Sequence, residues 1–359
     1  MTEPRTSRAA QRPIPPRSLV RLKRRVGSER PGREFRVGYY NRQDGLACVW
    51  LVNEAGEYEQ TWDQRGIAED FEVLFMSDET DLHGDRREAM GPLVSRLAFK
   101  SKPALVAYVT CGDPDLDTTR EVILAAARAG ADVIELGVPF SDPVADGPVI
   151  QRASERALEN GTTLSDVLAL ARDVRPQISA GLIIFSYLNP ILRFGLQRFA
   201  AAAADAGADG ALVIDLTIEE SGEYVRAMRG RNLATVFLAA PTSTDARLKR
   251  IAQVSTGFIY AVSRTGVTGE RRDVAADARQ LVARLRKHTK LPIAVGFGIS
   301  TAEQFAQVGA FADAVVVGSA IVHAIERAGK NAAAAAVAQL VSDLTGRAET
   351  RQAASLPKG

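Results

Sequence analysis

The chain has 359 residues, of which 46% are hydrophobic and 25% charged, proportions typical of a globular protein with about two domains. The 45 basic and 43 acidic residues nearly cancel, so overall charge gives no reason to expect binding to nucleic acid or to a membrane. Two widely separated cysteines, Cys48 and Cys111, exclude a disulfide framework and a thiolate metal site. The three histidines, His83, His288 and His323, are not spaced as metal ligands either, so we expect no metal site.

The first 33 residues form a basic segment with ten Lys or Arg, two Glu, and four prolines between Pro4 and Pro16. So few apolar residues cannot offset the chain entropy lost on folding, and we predict a disordered arm over residues 1–33. An Arg-rich start is also typical of an organellar transit peptide, although the prolines disfavour the amphipathic helix that such a peptide needs. No apolar run resembles a secretory signal or approaches the ~18 residues of a spanning helix, so we expect a cytoplasmic protein.

Residues 34–89 reverse the charge, with 14 acidic residues against five arginines, and they contain both tryptophans, Trp50 and Trp62. Short runs with strand composition alternate there with turn sequences such as Asp44-Gly45 and Ala55-Gly56. The predicted strands are Phe35–Tyr40, Ala47–Val52, Glu57–Trp62 and Phe71–Phe75. We predict a small antiparallel β-module of unknown role, close to the lower size limit for independent folding.

From about Pro103 to Thr345, short apolar runs alternate about eight times with alanine-rich helical segments. Runs that are apolar on both faces are typical of strands buried in a parallel sheet. The predicted strands are Ala104–Val109, Asp132–Leu136, Gly181–Phe185, Gly210–Ile214, Ala234–Leu238, Phe258–Val262, Ile293–Val295 and Ala314–Val317. This pattern predicts an α/β fold, a (β/α)8 TIM barrel over residues 96–347, followed by a disordered tail over residues 348–359. A doubly wound open sheet is the alternative, but the glycine-rich turn expected after its first strand is missing.

A short join recurs between helices and the strands that follow them. It reads Ala129-Gly130-Ala131-Asp132 and Ala206-Gly207-Ala208-Asp209, and more loosely Val308-Gly309-Ala310. We predict that each glycine takes the left-handed conformation that ends a helix before the chain re-enters the sheet.

In a TIM barrel the active site lies at the carboxyl ends of the strands, which directs attention to the segment Glu135–Pro148. Glu135 interrupts an apolar strand, and burial there would raise its pKa enough to give and take a proton near neutrality. The alternative is that Glu135 has a structural role, with its carboxylate hydrogen-bonded to backbone N–H groups at the start of the loop. Asp142 and Asp146 stand beside Pro and Gly, where Asp is also ordinary turn chemistry.

Glycine-rich segments follow the last three predicted strands. Ser263–Gly269 has the small residues of a mobile lid or of a flexible surface loop. Gly296-Phe297-Gly298 and Gly318-Ser319 follow strands seven and eight, where barrels of this kind bind phosphate through backbone N–H groups and a helix N-terminus. The residues alone therefore indicate a metal-independent enzyme that acts on a phosphate ester by carboxylate acid/base chemistry.

The segment Glu135–Pro148 closely resembles the signature of the alpha chain of tryptophan synthase. The resemblance extends in consistent order from about Leu97 to Thr345, whereas residues 1–95 have no counterpart in that family. Supporting segments are Val109–Pro114, Tyr187–Pro190, Ala240–Ser243, Ser263–Gly269, Gly296–Gly298 and Gly318-Ser319.

This resemblance implies a retro-aldol cleavage of indole-3-glycerol phosphate to indole and glyceraldehyde 3-phosphate. It implies that Glu135 is the general acid/base and that Asp146 stabilises the positive charge of the indole ring during the reaction. The substrate-binding residues implied are Tyr108, Tyr187, Tyr260 and Thr268. The phosphate-binding residues implied are Gly269, Gly296, Gly298, Gly318 and Ser319.

The family works with a beta chain, in a heterotetramer, and the beta chain rather than this chain carries pyridoxal phosphate. Asp142 and the loop Asp215–Glu220 match segments that face the beta chain. Thr217 stands where family members commonly have proline, so we expect a looser loop and weaker activation. Two alternatives remain: a lyase that acts alone and releases free indole, and a barrel that its N-terminal module recruits to a binding partner.

Overall fold

The computed structural model describes residues 19–23, 34–43, 46–52, 58–63, 71–75, 96–97, 99, 101–262, 274–296 and 298–347. The chain divides into two compact units, Met1–Met90 and Gly91–Gly359. The predicted turns at 44–45 and 55–56 and the predicted tail at 348–359 lie outside the described residues.

The first unit contains an antiparallel five-stranded sheet with the strand order β4-β3-β2-β1-β5. Its strands are β1 (Leu19–Leu22), β2 (Glu34–Gln43), β3 (Leu46–Val52), β4 (Tyr58–Asp63) and β5 (Phe71–Phe75). The four strands predicted for the module are confirmed, with ends shifted by up to three residues. The prediction of a disordered arm is wrong for β1, because this strand pairs with both β2 and β5 and buries Val20 and Leu22.

The second unit is a closed barrel of eight parallel strands, β6 to β13 in chain order, as predicted. The strands are β6 (Ala104–Thr110), β7 (Val133–Gly137), β8 (Gly181–Ser186), β9 (Gly210–Val213), β10 (Ala234–Ala239), β11 (Ile259–Val262), β12 (Ile293–Gly296) and β13 (Ala314–Val317). Five of the eight are buried at every position, because helices cover the outside and side chains fill the inside.

Helices surround this barrel. They are α1 (Leu116–Ala129), α2 (Pro148–Glu159), α3 (Leu164–Val174), α4 (Leu188–Phe194), α5 (Leu196–Asp205), α6 (Gly222–Gly230), α7 (Asp245–Val254), α8 (Val274–Arg286), α9 (Ala302–Gly309), α10 (Ser319–Ala328) and α11 (Ala333–Thr345). Across the described part of the chain, none of these helices is both long and apolar enough to cross a membrane.

The predicted left-handed glycines are confirmed at two of the three joins. Gly130 follows α1 with a φ of 110°, and Gly207 follows α5 with a φ of 74°. The prediction is wrong for Gly309, which is the last residue of α9 and is followed by Ala310 in right-handed helical conformation. A side chain at Gly309 would overlap Pro103, so close packing explains this glycine.

Asp132 and Asp209, which end two of these joins, and Asp313, three residues after the third, bond to the backbone of the neighbouring strand. We call the three bonds the carboxylate latches: Leu105 N–H to Asp132 at 2.9 Å, Leu182 N–H to Asp209 at 2.8 Å, and Ile293 N–H to Asp313 at 2.8 Å. Each carboxylate also pairs with arginine, namely Asp132 with Arg347, Asp209 with Arg96 and Arg175, and Asp313 with Arg286. All three latches lie at the amino ends of the strands, where residues of a TIM barrel serve stability rather than catalysis.

Candidate active site

A cavity of about 290 Å³ lies among residues at the carboxyl ends of the barrel strands. Every strand of the barrel contributes a residue to it, directly or through the residues that follow the strand. The lining consists of Tyr108, Glu135, Ala145, Asp146, Gly147, Ile150, Phe185, Ile214, Leu238, Tyr260, Val262, Gly296, Gly298, Val316, Gly318 and Ser319. A largely apolar wall with a few polar groups is typical of a small-molecule site.

Glu135 lies in the middle of β7, opposite Tyr108 of β6 and Ile183 of β8. Its neighbours Ile134 and Leu136 join the hydrophobic core beneath the helices, so strand alternation directs Glu135 into the barrel. The side chain is buried, and neither carboxylate oxygen has a hydrogen-bond partner among the described protein groups. Burial therefore raises the pKa of Glu135 to about 8, so the carboxyl group keeps its proton at neutral pH.

Asp146 lies in the loop between β7 and α2 and is only partly buried. The Tyr187 hydroxyl donates a hydrogen bond to Oδ2 of Asp146 at 3.1 Å and accepts one from the Ala145 N–H at 3.0 Å. On the other side, Gln151 Nε2 donates to the Asp146 carbonyl at 2.9 Å. Burial raises the pKa of Asp146 to about 6 and the Tyr187 bond opposes that rise, so the carboxylate is largely ionised at pH 7.

Two tyrosines, Tyr108 and Tyr260, form parts of the cavity wall, and each has the space for its ring because a glycine lies beside it. A side chain at Gly137 would overlap the Tyr108 ring, and one at Gly296 would overlap the Tyr260 ring. Burial, with the nearby acidic side chains, raises the pKa of both phenols well above the usual range, so both stay neutral. Gly296 was predicted to bind phosphate. In the structure, the space that a side chain at Gly296 would fill is occupied by the Tyr260 ring.

The phosphate end that we predicted includes Gly298, Gly318 and Ser319, all of which line the cavity. Gly298 has a φ of 44°, a left-handed conformation that other residues rarely adopt. Ser319 begins α10 after Gly318, and no side chain caps this helix. Its first backbone N–H groups are therefore available to an anion, and the helix dipole favours negative charge at this end.

These groups give the cavity a specific chemical capacity. At neutral pH it contains a protonated carboxylic acid at Glu135, a carboxylate at Asp146 and a helix N-terminus at Ser319. Such a site can protonate an apolar ring, stabilise positive charge on it and bind an anionic group at the N-terminus of α10. Among the described residues, no cluster of side chains could hold a metal ion.

The structure brings most of the predicted site residues together, with three exceptions. Thr268 and Gly269, with the rest of the predicted lid, lie outside the described residues. Tyr187 is absent from the cavity lining and contacts Asp146 instead. Sequence reasoning missed Phe185, whose ring packs edge-on against Tyr108 at 5.0 Å, and the aliphatic residues of the wall. Their position at strand ends is the signal that could have identified them.

The loop Asp215–Glu220 was expected to be looser because Thr217 stands where a proline is common, and the structure shows hydrogen bonds that this expectation did not include. The Thr217 hydroxyl donates a hydrogen bond to the Glu220 carboxylate at 3.1 Å, and the Glu220 N–H bonds to the Thr217 carbonyl at 3.2 Å. Glu219 also pairs with Arg247 of α7 at 3.0 Å. These bonds join Thr217 to Glu220 within the loop and Glu219 to helix α7.

Comparison with known proteins agrees with this geometry. The family described as tryptophan synthase alpha chain matches residues 94–351. The tryptophan synthase alpha chain of Solibacter usitatus is 54% identical over 244 residues, which are 68% of this chain and 91% of that protein. Among solved structures, the tryptophan synthase complex of Pyrococcus furiosus is 38% identical with a TM-score of 0.62, and the match covers 68% of this chain and 98% of that one. The tryptophan synthase alpha subunit of Legionella pneumophila is 35% identical with a TM-score of 0.65, and the match covers 72% of this chain and 97% of that one. The chain therefore belongs to the tryptophan synthase alpha chain family, lyases of tryptophan biosynthesis with a TIM-barrel fold.

Proposed function

We propose that this chain cleaves indole-3-glycerol phosphate to indole and glyceraldehyde 3-phosphate, as the alpha subunit of a tryptophan synthase. The observation that carries the proposal is the unpartnered, buried Glu135 in one cavity with Asp146 and the N-terminus of α10. In this proposal the catalytic domain is the barrel, residues 96–347. A cytoplasmic location suits a biosynthetic enzyme of this family.

Glu135 serves as both acid and base in this reaction. The protonated carboxyl group first donates its proton to C3 of the indole ring. The resulting carboxylate then removes the proton of the hydroxyl on the adjacent glycerol carbon. The O–H electrons form the aldehyde C=O bond, the C–C bond breaks, and its electron pair returns to the ring, which releases neutral indole. A pKa of about 8 suits a group that donates and then regains one proton near neutral pH.

Asp146 stabilises the intermediate of this sequence. Protonation at C3 leaves the indole ring positively charged, and the ionised Asp146 accepts a hydrogen bond from the ring N–H. This bond is stronger in the charged intermediate than in the neutral substrate, which is the condition for lowering the barrier. Tyr187 and Gln151 support this role because they bond to the Asp146 carboxylate and carbonyl.

The substrate phosphate binds at the N-terminus of α10. The N–H groups at the start of α10, with Gly298 and Gly318, suit a phosphate, since glycine lets the backbone approach the oxygens closely. Thr268 and Gly269 complete this binding set in our proposal. Tyr108, Tyr260 and Phe185 enclose the indole ring.

A beta chain is the proposed partner, and pyridoxal phosphate belongs to that chain rather than to this one. The solved Pyrococcus furiosus relative is a tryptophan synthase complex. Asp142 is exposed in the loop that leads to Asp146, and the adjacent Val144 is 87% exposed, an unusual degree for an apolar side chain. The loop Asp215–Glu220 is the second proposed contact.

The proposal is tested by following indole release from indole-3-glycerol phosphate with and without a beta chain. We expect slow cleavage by the purified chain and several-fold acceleration by the beta chain. Glu135→Gln and Asp146→Asn should each lower turnover by about 10²–10⁴-fold, the range for loss of a positioned acid, base or charge, with circular dichroism unchanged. Near-normal turnover in Glu135→Gln would refute the mechanism. Fast cleavage that a beta chain does not change would indicate a lyase that acts alone.

A further inference from the structure

Two neighbouring helices begin at the substrate cavity, and Ile150 in the first turn of one lies close to Gly318, which precedes the other. Helix α2 starts two residues after Asp146, and its Ile150 lines the cavity. Helix α10 starts at Ser319, at the proposed phosphate end. The two helices pack against each other along the outside of the barrel. A shift of one helix along the other would therefore change the distance between Asp146 and the phosphate.

A cluster of charged side chains joins these helices about two turns from the cavity. Arg156 of α2 donates two hydrogen bonds to Asp113, at 2.7 and 2.9 Å, and a third to Glu326 of α10 at 3.1 Å. Arg152 donates two more to Glu326, both at 3.3 Å. His323 lies 3.4 Å from the same carboxylate. Both arginines of α2 thus bond to Glu326 of α10, and Arg156 also bonds to Asp113.

Asp113 fixes the cluster to the barrel itself. It lies in the short turn after β6 and is 3% exposed. The turn is held in place because the Gly112 N–H bonds to the Thr119 hydroxyl at 3.0 Å and Asn160 donates to the Pro114 carbonyl at 2.6 Å. Arg156 therefore connects three elements: the end of β6, helix α2 and helix α10.

The geometry of the cluster suits positioning. Asp113 is buried, and the bidentate guanidinium of Arg156 fixes direction as well as distance. Arg156 and Asp146 lie on one continuous segment, and the Gln151 bond to the Asp146 carbonyl transmits the position of α2 to that residue. A misplacement of about 1 Å in an active site can cost about 100-fold in rate.

We propose that Arg156, with Asp113 and Glu326, is a positioning residue that couples phosphate binding at α10 to the placement of Asp146. An anion at the N-terminus of α10 fixes that helix, and the guanidinium transfers its position to α2 and so to the Asp146 loop. This inference rests on the proposed function and deepens it, because it names the path by which a remote phosphate assists cleavage at the indole ring.

The test uses the full-length chain and two substrates, indole-3-glycerol phosphate and its analogue indolylglycerol, which lacks the phosphate. Indole release from the analogue is measured with and without inorganic phosphate. We expect added phosphate to accelerate cleavage of the analogue by the unsubstituted chain at least tenfold. In Arg156→Gln we expect most of that acceleration to disappear, and kcat for the complete substrate to fall at least tenfold with a smaller change in KM.

The control is Arg120→Gln. Arg120 is 31% exposed, close to the 34% of Arg156, and it pairs with Asp173 and Glu121 away from the cavity. This variant should keep the full acceleration by phosphate. Glu326→Gln removes the charge on α10 without disturbing the Arg156–Asp113 pair, so it remains informative if Arg156→Gln fails to fold.

The outcomes are distinct. If Arg156→Gln, or Glu326→Gln in its place, responds to phosphate as Arg120→Gln does, the coupling is refuted. Absence of any response to phosphate in the unsubstituted chain also refutes it. If the unsubstituted chain fails to cleave indole-3-glycerol phosphate at all, the proposed function itself fails.

Discussion

The buried Glu135 makes a prediction about stability that needs no substrate. In the folded chain its pKa is raised from 4.5 to about 8, because burial disfavours the charged form and its carboxylate oxygens have no hydrogen-bond partner among the residues that the structure describes. In the unfolded chain the same carboxyl group ionises near its ordinary value. Between these two pH values the folded state holds a proton that the unfolded state has released. The free energy of unfolding should therefore fall as pH rises from 4.5 to about 8, and level off above that range.

The size of this effect follows from the two pKa values. Each pH unit corresponds to ~1.36 kcal/mol, so the ionised Glu135 costs the folded state at most about 5 kcal/mol at high pH. Glu135→Gln removes the ionisation and keeps the shape of the side chain. Its free energy of unfolding, relative to that of the unsubstituted chain, should rise by up to about 1.4 kcal/mol per pH unit across this interval.

Urea unfolding of the barrel, followed by far-ultraviolet circular dichroism from about pH 5 to about pH 8.5, measures this difference. Tryptophan fluorescence is unsuitable because Trp50 and Trp62 both lie in the first unit. The comparison cancels the titration of every other group. Glu135→Asp, which keeps a buried carboxyl group, should retain the fall in stability with pH. If the difference between Glu135→Gln and the unsubstituted chain stays constant over this range, Glu135 is not buried without a partner and the reasoning fails.

Three further predictions concern the site and the barrel. Because the reaction needs a protonated Glu135 and an ionised Asp146, kcat/KM for indole-3-glycerol phosphate should rise through about pH 6 and fall through about pH 8; a flat profile would contradict these roles. Tyr187→Phe removes a donor to the Asp146 carboxylate, so its pKa should rise and the acidic limb of the profile should move to higher pH. Asp209→Ala should lower the free energy of unfolding by about 3–5 kcal/mol, because it removes the carboxylate that bonds to the Leu182 N–H and pairs with Arg175. Asp173→Ala, which removes an exposed ion pair, should lower it by less than about 1 kcal/mol. Equal losses in the two variants would contradict a stabilising role for the Asp209 latch.

Much of the barrel was predictable because its strands are apolar on both faces and its helices end at recognisable joins. All eight predicted strands are present, with ends that differ by at most one residue. The errors have physical causes. The strand Leu19–Leu22 lies in a basic, proline-rich segment, and only its pairing with β2 and β5 makes it a strand. Gly309 has the composition of a helix end, but contact with Pro103 explains it instead.

The candidate site was predictable where the chemistry is unusual for its position. A carboxyl group within an apolar strand, as at Glu135, identifies itself in the sequence. Phe185 gives no such signal, because an aromatic residue at a strand end is equally typical of a hydrophobic core. The bonds of Gln151 and Arg156 join groups that only the folded chain brings together, and no local pattern indicates them. For Thr217, the expected loss of proline rigidity omitted the hydrogen bond that a hydroxyl can make to Glu220.

Each carboxylate latch lies within one half of the barrel, and none joins the first four strands to the last four. Two of them join β6 to β7 and β8 to β9, and the third joins β12 to β13. A chain cut between Val213 and Ala234 would therefore leave each latch intact within a single fragment. Arg347 of the second fragment would still reach Asp132 of the first, at 2.9 Å in the uncut chain. The two pieces, produced as independent polypeptides, should on this reasoning reassemble when mixed, and this fold would then retain a trace of assembly from half-barrels.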